Sequence, residues 1–511
     1  DYEYYMDVIL EAEEMEPGGE KWHQTGLLKV IENSYHPQTA LPPEVGGYGR
    51  GGVSAILSTA WLLGPEKRAK IYNHPLFERA IFAQLHQTYP NGYSVGVGIT
   101  GRSRINTHAA EMFLAHALRQ QDRETAARLS ALLHHEMKAG AYDLSKGNIR
   151  PFSPPVPEKL PEPVPWEEIW QPPATFNAKP HNIVMLRNLP EKEQTEYGIV
   201  AAMYGSGQRQ GQPNGLAIEL FGAGHILGID PGIGSGRHGK EHNEYFKFAP
   251  AHNTVVINGG EVQGNRRMSI NQAYPPLDEN VKATASNLVY AQGEYNYDDP
   301  KAQQERTLAL IGINEETAFF FDVFRSELKG GSSDEYHDFF YHNQGDTLEL
   351  STISGESLPL KKSNLLTSGK GNIQAYDYFK NEKSITGDSK FRARWQLAVP
   401  GDNKDVMMDV FMTGGKDRRV FTVDSPNVRV GHGYPPKSLW RQPLKTVVVR
   451  QHGDAWDHPF VAVYAPRFAD QSAFIKGIQA VDDDAWKVRG HGWTVKLELN
   501  RKNLKAVLQK K

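Results

Sequence analysis

The hydrophobic rhythm of the chain changes part-way along. Through residue 150 the apolar positions recur at helical spacing. "VSAILSTAWLLG" (53–64) carries them three and four apart and stops at Gly64, a helix-ending residue. "HAAEMFLAHALRQQDRETAARLSALLHHEMKAG" (108–140) predicts two helices broken near Asp122, the second ending at Gly140. Polar, glycine-rich loops are expected at 33–52 and 91–107. Beyond residue 173 the period drops to two. "HNTVVING", "RTLALIGI", "TAFFFDVFR", "KTVVVRQ", "FVAVYAP" and "WTVKLELN" are β-branched and aromatic runs bounded by Gly, Asn, Asp or Pro. Few helical stretches interrupt them, so the sheets should be antiparallel and sandwich-like. Between the two regimes, "PFSPPVPEKLPEPVPWEEIWQPP" (151–173) is too proline-rich for a helix or a central strand and reads as an extended linker.

The pattern predicts an α+β multidomain chain, with a helical portion at 1–150 and a Pro-rich linker at 151–178. An antiparallel β domain follows at 179–400 and a C-terminal β domain at 401–511. The length of 511 residues is ample for several domains. A net charge of −3 argues against wholesale nucleic-acid or membrane binding, while leaving room for a local basic groove. No apolar run approaches the roughly 20 residues that span a bilayer. The first twenty residues are acidic and lack signal-peptide architecture; a mature form beginning here and a further upstream segment both fit. The absence of cysteine removes disulfides and thiolate chemistry.

Candidate chemistry concentrates in the two loops. "NSYHPQTALPPEVGGYGRGG" and "GYSVGVGITGRSRINTHAAE" offer His36, Tyr48, Arg50, Arg102, Arg104, Asn106 and His108. A tyrosine, a histidine and arginines without a conspicuous carboxylate pair do not suit glycoside hydrolysis, which generally needs two flanking acids. They suit removal of a carbon-bound proton beside a carboxylate. That proton becomes removable once the carboxylate is neutralised by charge-assisted hydrogen bonds. A phenol of pKa about 10 becomes a usable base when guanidinium charge stabilises its phenolate, and can then protonate a leaving oxygen. The reaction is β-elimination on a uronic-acid polymer. Asn106 and Thr107 precede an apolar run, where an N-cap is the ordinary use of such residues. His337 and His342, alternating with aromatics in "YHDFFYH", read as sheet-face histidines.

The order His36, "GGYG" with Tyr48, then "TGRSRIN" resembles the hyaluronate, chondroitin and xanthan lyases. That resemblance implies an (α/α) toroid portion, with His36 and Tyr48 as base and acid and with Arg102 or Arg104 near the substrate carboxylate. The family's charge-neutralising asparagine has no match before His36. "GLAIELFGAGHILGIDPG" (215–232), "HNEYFKFAPAHNTVVINGG" (242–260), "ERTLALIGINEETAFFFDVFRSE" and "YHDFFYH" resemble the heparinase II/III-like lyases. By that resemblance Asp230 and His252 fill two places of a zinc site. The third falls on Gln212-Pro213-Asn214, where an amide is a poor ligand.

The expectation is thus a polysaccharide lyase acting on a uronate polymer, sulfated like ulvan or a glycosaminoglycan. It would carry one structural divalent metal, zinc or calcium, at Asp230, His252 and Gln212, and no organic cofactor. Tyr48, His36 and Arg102 would be catalytic. Arg104, Arg50, Asn106, His242, Tyr245 and Arg266 would bind substrate, in a cleft between the helical loops and the loop near 233–248. The partner would be an anionic polysaccharide, with no nucleic acid and no membrane span, and the protein would be secreted or periplasmic. Alginate lyase, uronyl C5-epimerase and a non-catalytic glycan-binding protein are the alternatives.

Overall fold

A computed structural model of the chain describes all residues except 1, 12–25, 45, 97–100, 147–153, 155–156, 206–214, 233, 235, 237, 261–266, 278, 299–300, 333–334, 369–372, 402–403, 428–433, 442, 502 and 511. The side chains of Tyr2 and Tyr48 also lie outside the description. Two compact units emerge: residues 1–88, 92–94 and 102–172, and residues 89–91, 95–101 and 173–511.

The first unit is helical, with α1 (Tyr2–Glu11), α2 (Leu27–Ser34), α3 (Gly46–Leu62), α4 (Pro65–Tyr72), α5 (Pro75–Ala83), α6 (Thr107–Gln120) and α7 (Arg123–Lys138). Local chemistry sets the boundaries. Pro65 and Pro75 open α4 and α5, where the missing N–H costs nothing. Asn106 caps α6 by accepting from the Ala109 N–H, and Asp122 caps α7 by accepting from the Thr125 N–H. Both helices therefore fall where the periodicity places them.

Two expectations change here. The glycine-rich stretch up to residue 52 is not a loop: α3 begins at Gly46, so Tyr48 and Arg50 stand on its first turns. Glycine costs a helix about 1 kcal/mol per residue relative to alanine. Packing demands it at Gly49, where a Cβ would come within 2.1 Å of the Glu44 carbonyl oxygen and 2.8 Å of Pro42 Cγ. The proline-rich segment is no free linker either. The Ser130 hydroxyl donates to the Pro161 carbonyl at 2.6 Å, and the Trp166 ring, on the short α8 (Trp166–Ile169), stacks on His135 at 3.8 Å. Prolines hold it extended while α7 gives it a surface to lie on.

In the second unit every strand pairing is antiparallel. A five-stranded sheet runs in order through β1 (Thr175–Ala178), β2 (Ile183–Asn188), β3 (Ile199–Tyr204), β4 (Ala217–Gly222) and β5 (His225–Gly228). Next come β6 (Val255–Ile257), β7 (Ser269–Tyr274), β8 (Val289–Asp298), β9 (Lys301–Asn314), β10 (Thr317–Leu328), β11 (Tyr336–Asn343) and β12 (Thr347–Thr352). They are followed by β13 (Lys361–Lys362), β14 (Lys380–Thr386), β15 (Phe391–Leu397), β16 (Val406–Met412), β17 (Arg418–Ser425), β18 (Leu444–His452) and β19 (Ala455–Phe468). These form an eight-stranded sheet, β12-β15-β16-β19-β10-β9-β8-β7, and a six-stranded sheet, β13-β14-β17-β18-β11-β6. Last come β20 (Ile475–Asp482), β21 (Ala485–Gly490), β22 (Trp493–Leu499) and β23 (Leu504–Lys510), a four-stranded meander.

All six strand runs named above are strands, but the expected boundary at 400/401 is not one. β15 and β16 pair across it from Phe391↔Met412 to Leu397↔Val406, and β19 lies between β10 and β16. One sheet therefore draws strands from both sides of residue 400. Its face carrying Phe319, Phe321 and Val463 packs on Trp486, Val488, Trp493, Val495 and Leu497 of the meander, forming a sandwich core.

Candidate active site

The described chemistry of the helical unit gathers at the start of α3. The Arg50 carbonyl accepts from Asn106 Nδ2 at 2.9 Å, and Arg50 Nη2 donates to the Ile105 carbonyl at 3.2 Å. A small pocket lies beside it, lined by Arg50, Arg104, Gln87, Ser94, Ser103 and Glu44 among others. Arg50 Nε is buried and has no hydrogen-bond acceptor among the described residues. Burial pulls this guanidinium down to about 10, against the upward pull of Glu136.

Arg104 differs. Its Nε and Nη2 hold the two oxygens of buried Glu136 at 2.8 and 3.0 Å, and its guanidinium lies over Tyr93, 4.9 Å from the ring centre. Burial opposes its charge, but Glu136 outweighs that and raises the group above its usual range. Gly92, at φ +83°, passes beneath; a Cβ there would sit 2.5 Å from Arg104 Nη2. Arg104 thus lines the cavity with its charge already answered. Arg102 is 3% exposed and is not part of the cavity wall.

The other expected groups divide. Tyr48 has its backbone on the first turn of α3, two residues before Arg50. His36 is half-buried, its Nδ1 accepting from the Thr39 N–H at 3.3 Å and lying 3.0 Å from the Thr39 hydroxyl. Nδ1 is thereby unprotonated, and the ring proton sits on Nε2. Asn106 does not reach for substrate: Oδ1 caps α6 while Nδ2 ties Arg50 and Ser54. The amide clamps α3 to α6. Glu136, Tyr93 and Gln87 went unforeseen. Glu136 sits in "HHEMK", which looks like any charged helix end.

In the β unit, Tyr245 is overturned as a substrate contact. It is 1% exposed, in an apolar cluster with Phe246, Phe340 and Phe379, and burial pushes its phenol up. His242 is also buried, on the same single turn, His242–Phe246. Arg266 lies outside the described residues, as does Gln212. Asp230 and His252 do come together, with His252 Nδ1 at 2.6 Å from Asp230 Oδ2. The Tyr204 hydroxyl donates to that same oxygen at 2.6 Å, and the Gly232 N–H donates to Oδ1 at 2.7 Å. Glu219 accepts from the Asp230 N–H at 3.1 Å and from the Tyr89 hydroxyl at 2.9 Å. His252 Nε2 donates to the Phe246 carbonyl at 3.1 Å, so both ring nitrogens are engaged within the protein. Among the described residues no group of three or more His, Asp or Glu side chains is placed to hold a metal. Asp230 and His252 are two donors, one short of the usual minimum of three, and the third expected position, Gln212, lies outside the described residues.

No family model matches the chain. A curated protein described as an endo-acting ulvan lyase, from Formosa agariphila, is 28% identical over 328 residues. The match covers 60% of this chain and 38% of that protein, so the chain spans well under half the length of its curated relative. Among solved structures, heparinase III (BT4657 gene product) superposes with a TM-score of 0.52 over 95% of this chain and 60% of that one, at 10% identity. Its lysine-methylated form gives 0.51 at 11% identity. The fold is heparinase III-like. A helical unit followed by antiparallel sheets is thus a heparinase III-like arrangement, and by sequence the chain is similar to a polysaccharide lyase.

Proposed function

We propose that the chain carries the catalytic part of a polysaccharide lyase that cuts a uronic-acid polymer by β-elimination, with a sulfated, ulvan-like polymer as the preferred substrate. The observation that carries this reading is Arg50, whose Nε is buried and unanswered among the described residues, lining a pocket two residues along α3 from the Tyr48 backbone. The ulvan lyase relative directs the choice of polymer. The helices α1–α7 are read as a portion of an (α/α) toroid.

Arg50 binds the uronate carboxylate and spreads the charge that builds when C5 loses its proton. The Tyr48 phenolate takes that proton, and the electron pair left on C5 forms the C4–C5 double bond. The C4–O bond breaks, and Tyr48 returns the proton to the leaving oxygen. His36, with its Nδ1 taken by Thr39, is read as a carboxylate contact through its Nε2–H. Arg104, held by Glu136 above Gly92, shapes the cavity wall. No step runs through Asp230 and His252. Such a polymer is met outside the cytoplasm, which supports secretion or a periplasmic location.

The test is a panel of ulvan, glycosaminoglycans and alginate, read by the ultraviolet absorbance of the 4,5-unsaturated uronate, with and without chelator. Ulvan should give the fastest rise, Tyr48→Phe should lower it at least a hundredfold, and chelator should leave it unchanged. Full activity in Tyr48→Phe would end the mechanism. An altered uronate stereochemistry without new absorbance would make the enzyme an epimerase.

A further inference from the structure

The meander β20–β23 has one face in the sandwich core and one face open. Trp486, Val488, Trp493, Val495, Leu497 and Leu504 point into the core. Alternation then sends Lys487, Arg489, Lys496, Glu498 and Lys505 to the other side. Four cations thus stand on this face of a chain whose net charge is −3, and Glu498 is one of the carboxylates against them. Asp482 adds a second carboxylate, in one row of the register with Ala485, Glu498 and Lys505, so Lys487, Arg489 and Lys496 have no carboxylate in their own rows.

The register makes the excess costly. Lys487 is paired directly with Lys496 on neighbouring strands about 4.8 Å apart, and like charges so placed destabilise a sheet. Neither lysine side chain has a hydrogen bond or ion pair among the described residues. Arg489 has only the neutral Gln479 side-chain oxygen, at 3.0 Å. A fold that merely needed a solvated face could alternate the signs, as it does at Glu498 and Lys505.

We propose that this open face is an accessory binding surface for an anionic polysaccharide. Two rows of the register supply the contacts. Lys487 and Lys496 end on Val507, 52% exposed, offering cations for sulfate or carboxylate and an apolar spot for the C–H face of a sugar. Arg489, Thr494 and Gln509 form the next row, a guanidinium beside two groups that bond hydroxyls. Single-stranded nucleic acid, the competing polyanion, is bound by stacking bases on aromatic rings. Both tryptophans of the meander face the core, so the open face has no such platform. The choice of polysaccharide rests on the lyase reading; the demand for a polyanion rests on the charges alone.

The experiment measures binding of the full chain to size-matched ulvan and neutral glucan by affinity electrophoresis, which needs no turnover. Wild type should be retarded by ulvan and not by the glucan, and added salt should weaken the effect. Lys487→Gln/Arg489→Gln/Lys496→Gln should weaken the ulvan interaction at least tenfold while cleavage of short oligomers is unchanged. Lys487→Gln alone should keep or raise the melting temperature, because it removes a repulsion, and this separates lost binding from lost folding. Unchanged ulvan retardation in the triple variant, equal retardation by the neutral glucan, or tighter binding of single-stranded DNA would each overturn the proposal. Should no polymer be cleaved at all, the lyase reading fails while the binding result still decides this one.

Discussion

Arg50 is held at its backbone by Asn106 and at one side-chain nitrogen by the Ile105 carbonyl, yet its buried Nε has no acceptor among the described residues. A guanidinium so placed presents a planar fork to a carboxylate, which the point charge of lysine does not reproduce. Arg50→Lys should therefore lower kcat/KM on polymer by roughly a hundredfold, with a much smaller change in melting temperature. Steady-state kinetics beside a thermal melt would check it, and an equal fall in both would make the residue structural. At this scale the sequence separated residue types but not their duties. Arg102 and Arg104 look alike in "GRSRIN". Which one reaches the cavity depends on Glu136, a partner 32 positions away that no local pattern announces. Tyr245 misled for the same reason, since "HNEYF" carries no sign that its phenol turns into an aromatic core.

Helices and strands were more legible, because capping and periodicity are local. α6 and α7 lie where Asn106, Asp122 and Gly140 place them. α3 begins earlier than its glycines suggest, because the close approach of Gly49 to Glu44 is a tertiary fact. Two helices carry a pH dependence. On α6, His116 Nε2 donates to the Asn73 side-chain oxygen at 3.0 Å, and the ring lies against Tyr72. Burial, then Arg68 and Arg119, bring it down to about 4. His135 on α7 is likewise lowered to about 4, by burial and then by Arg104 and Lys138. In the unfolded chain such groups titrate near about 6.5. Between those values only the unfolded state takes up the proton, so the stability from neutral His116 is full above about pH 6.5 and drains as pH falls towards 4. The melting temperature should drop across that window, and His116→Gln should drop less steeply. Identical slopes for the two proteins would refute this.

Over the whole β unit, the alternating runs foretold sandwich-like antiparallel sheets but not their membership. Alternation says that a segment is a strand; it does not say which strand lies beside it. The sheet joining β9 and β10 to β16 and β19 makes residue 400 an interior point of one folding unit. A chain ending at residue 400 removes both β16 and β19, baring the β10 edge and the buried Asp322, to which the Tyr464 hydroxyl donates at 2.9 Å. Such a chain should be insoluble or lack a cooperative melt. Limited proteolysis of the intact protein should likewise give no stable fragment ending near 400. A soluble, cooperatively melting 1–400 product would show the boundary to be real after all.

The same pairing matters before the protein is ever complete. β10, "TAFFFDVFRSEL", leaves the ribosome about 130 residues ahead of β19, which covers its free edge. At roughly 5–20 residues per second, that edge waits on the order of ten seconds for its neighbour. For that interval a run rich in phenylalanine, with unpaired amides along one side, is a template for any other strand. Yield of soluble protein should then depend on chaperone supply and on the speed of translation between these two strands, more than on the equilibrium stability of the finished fold.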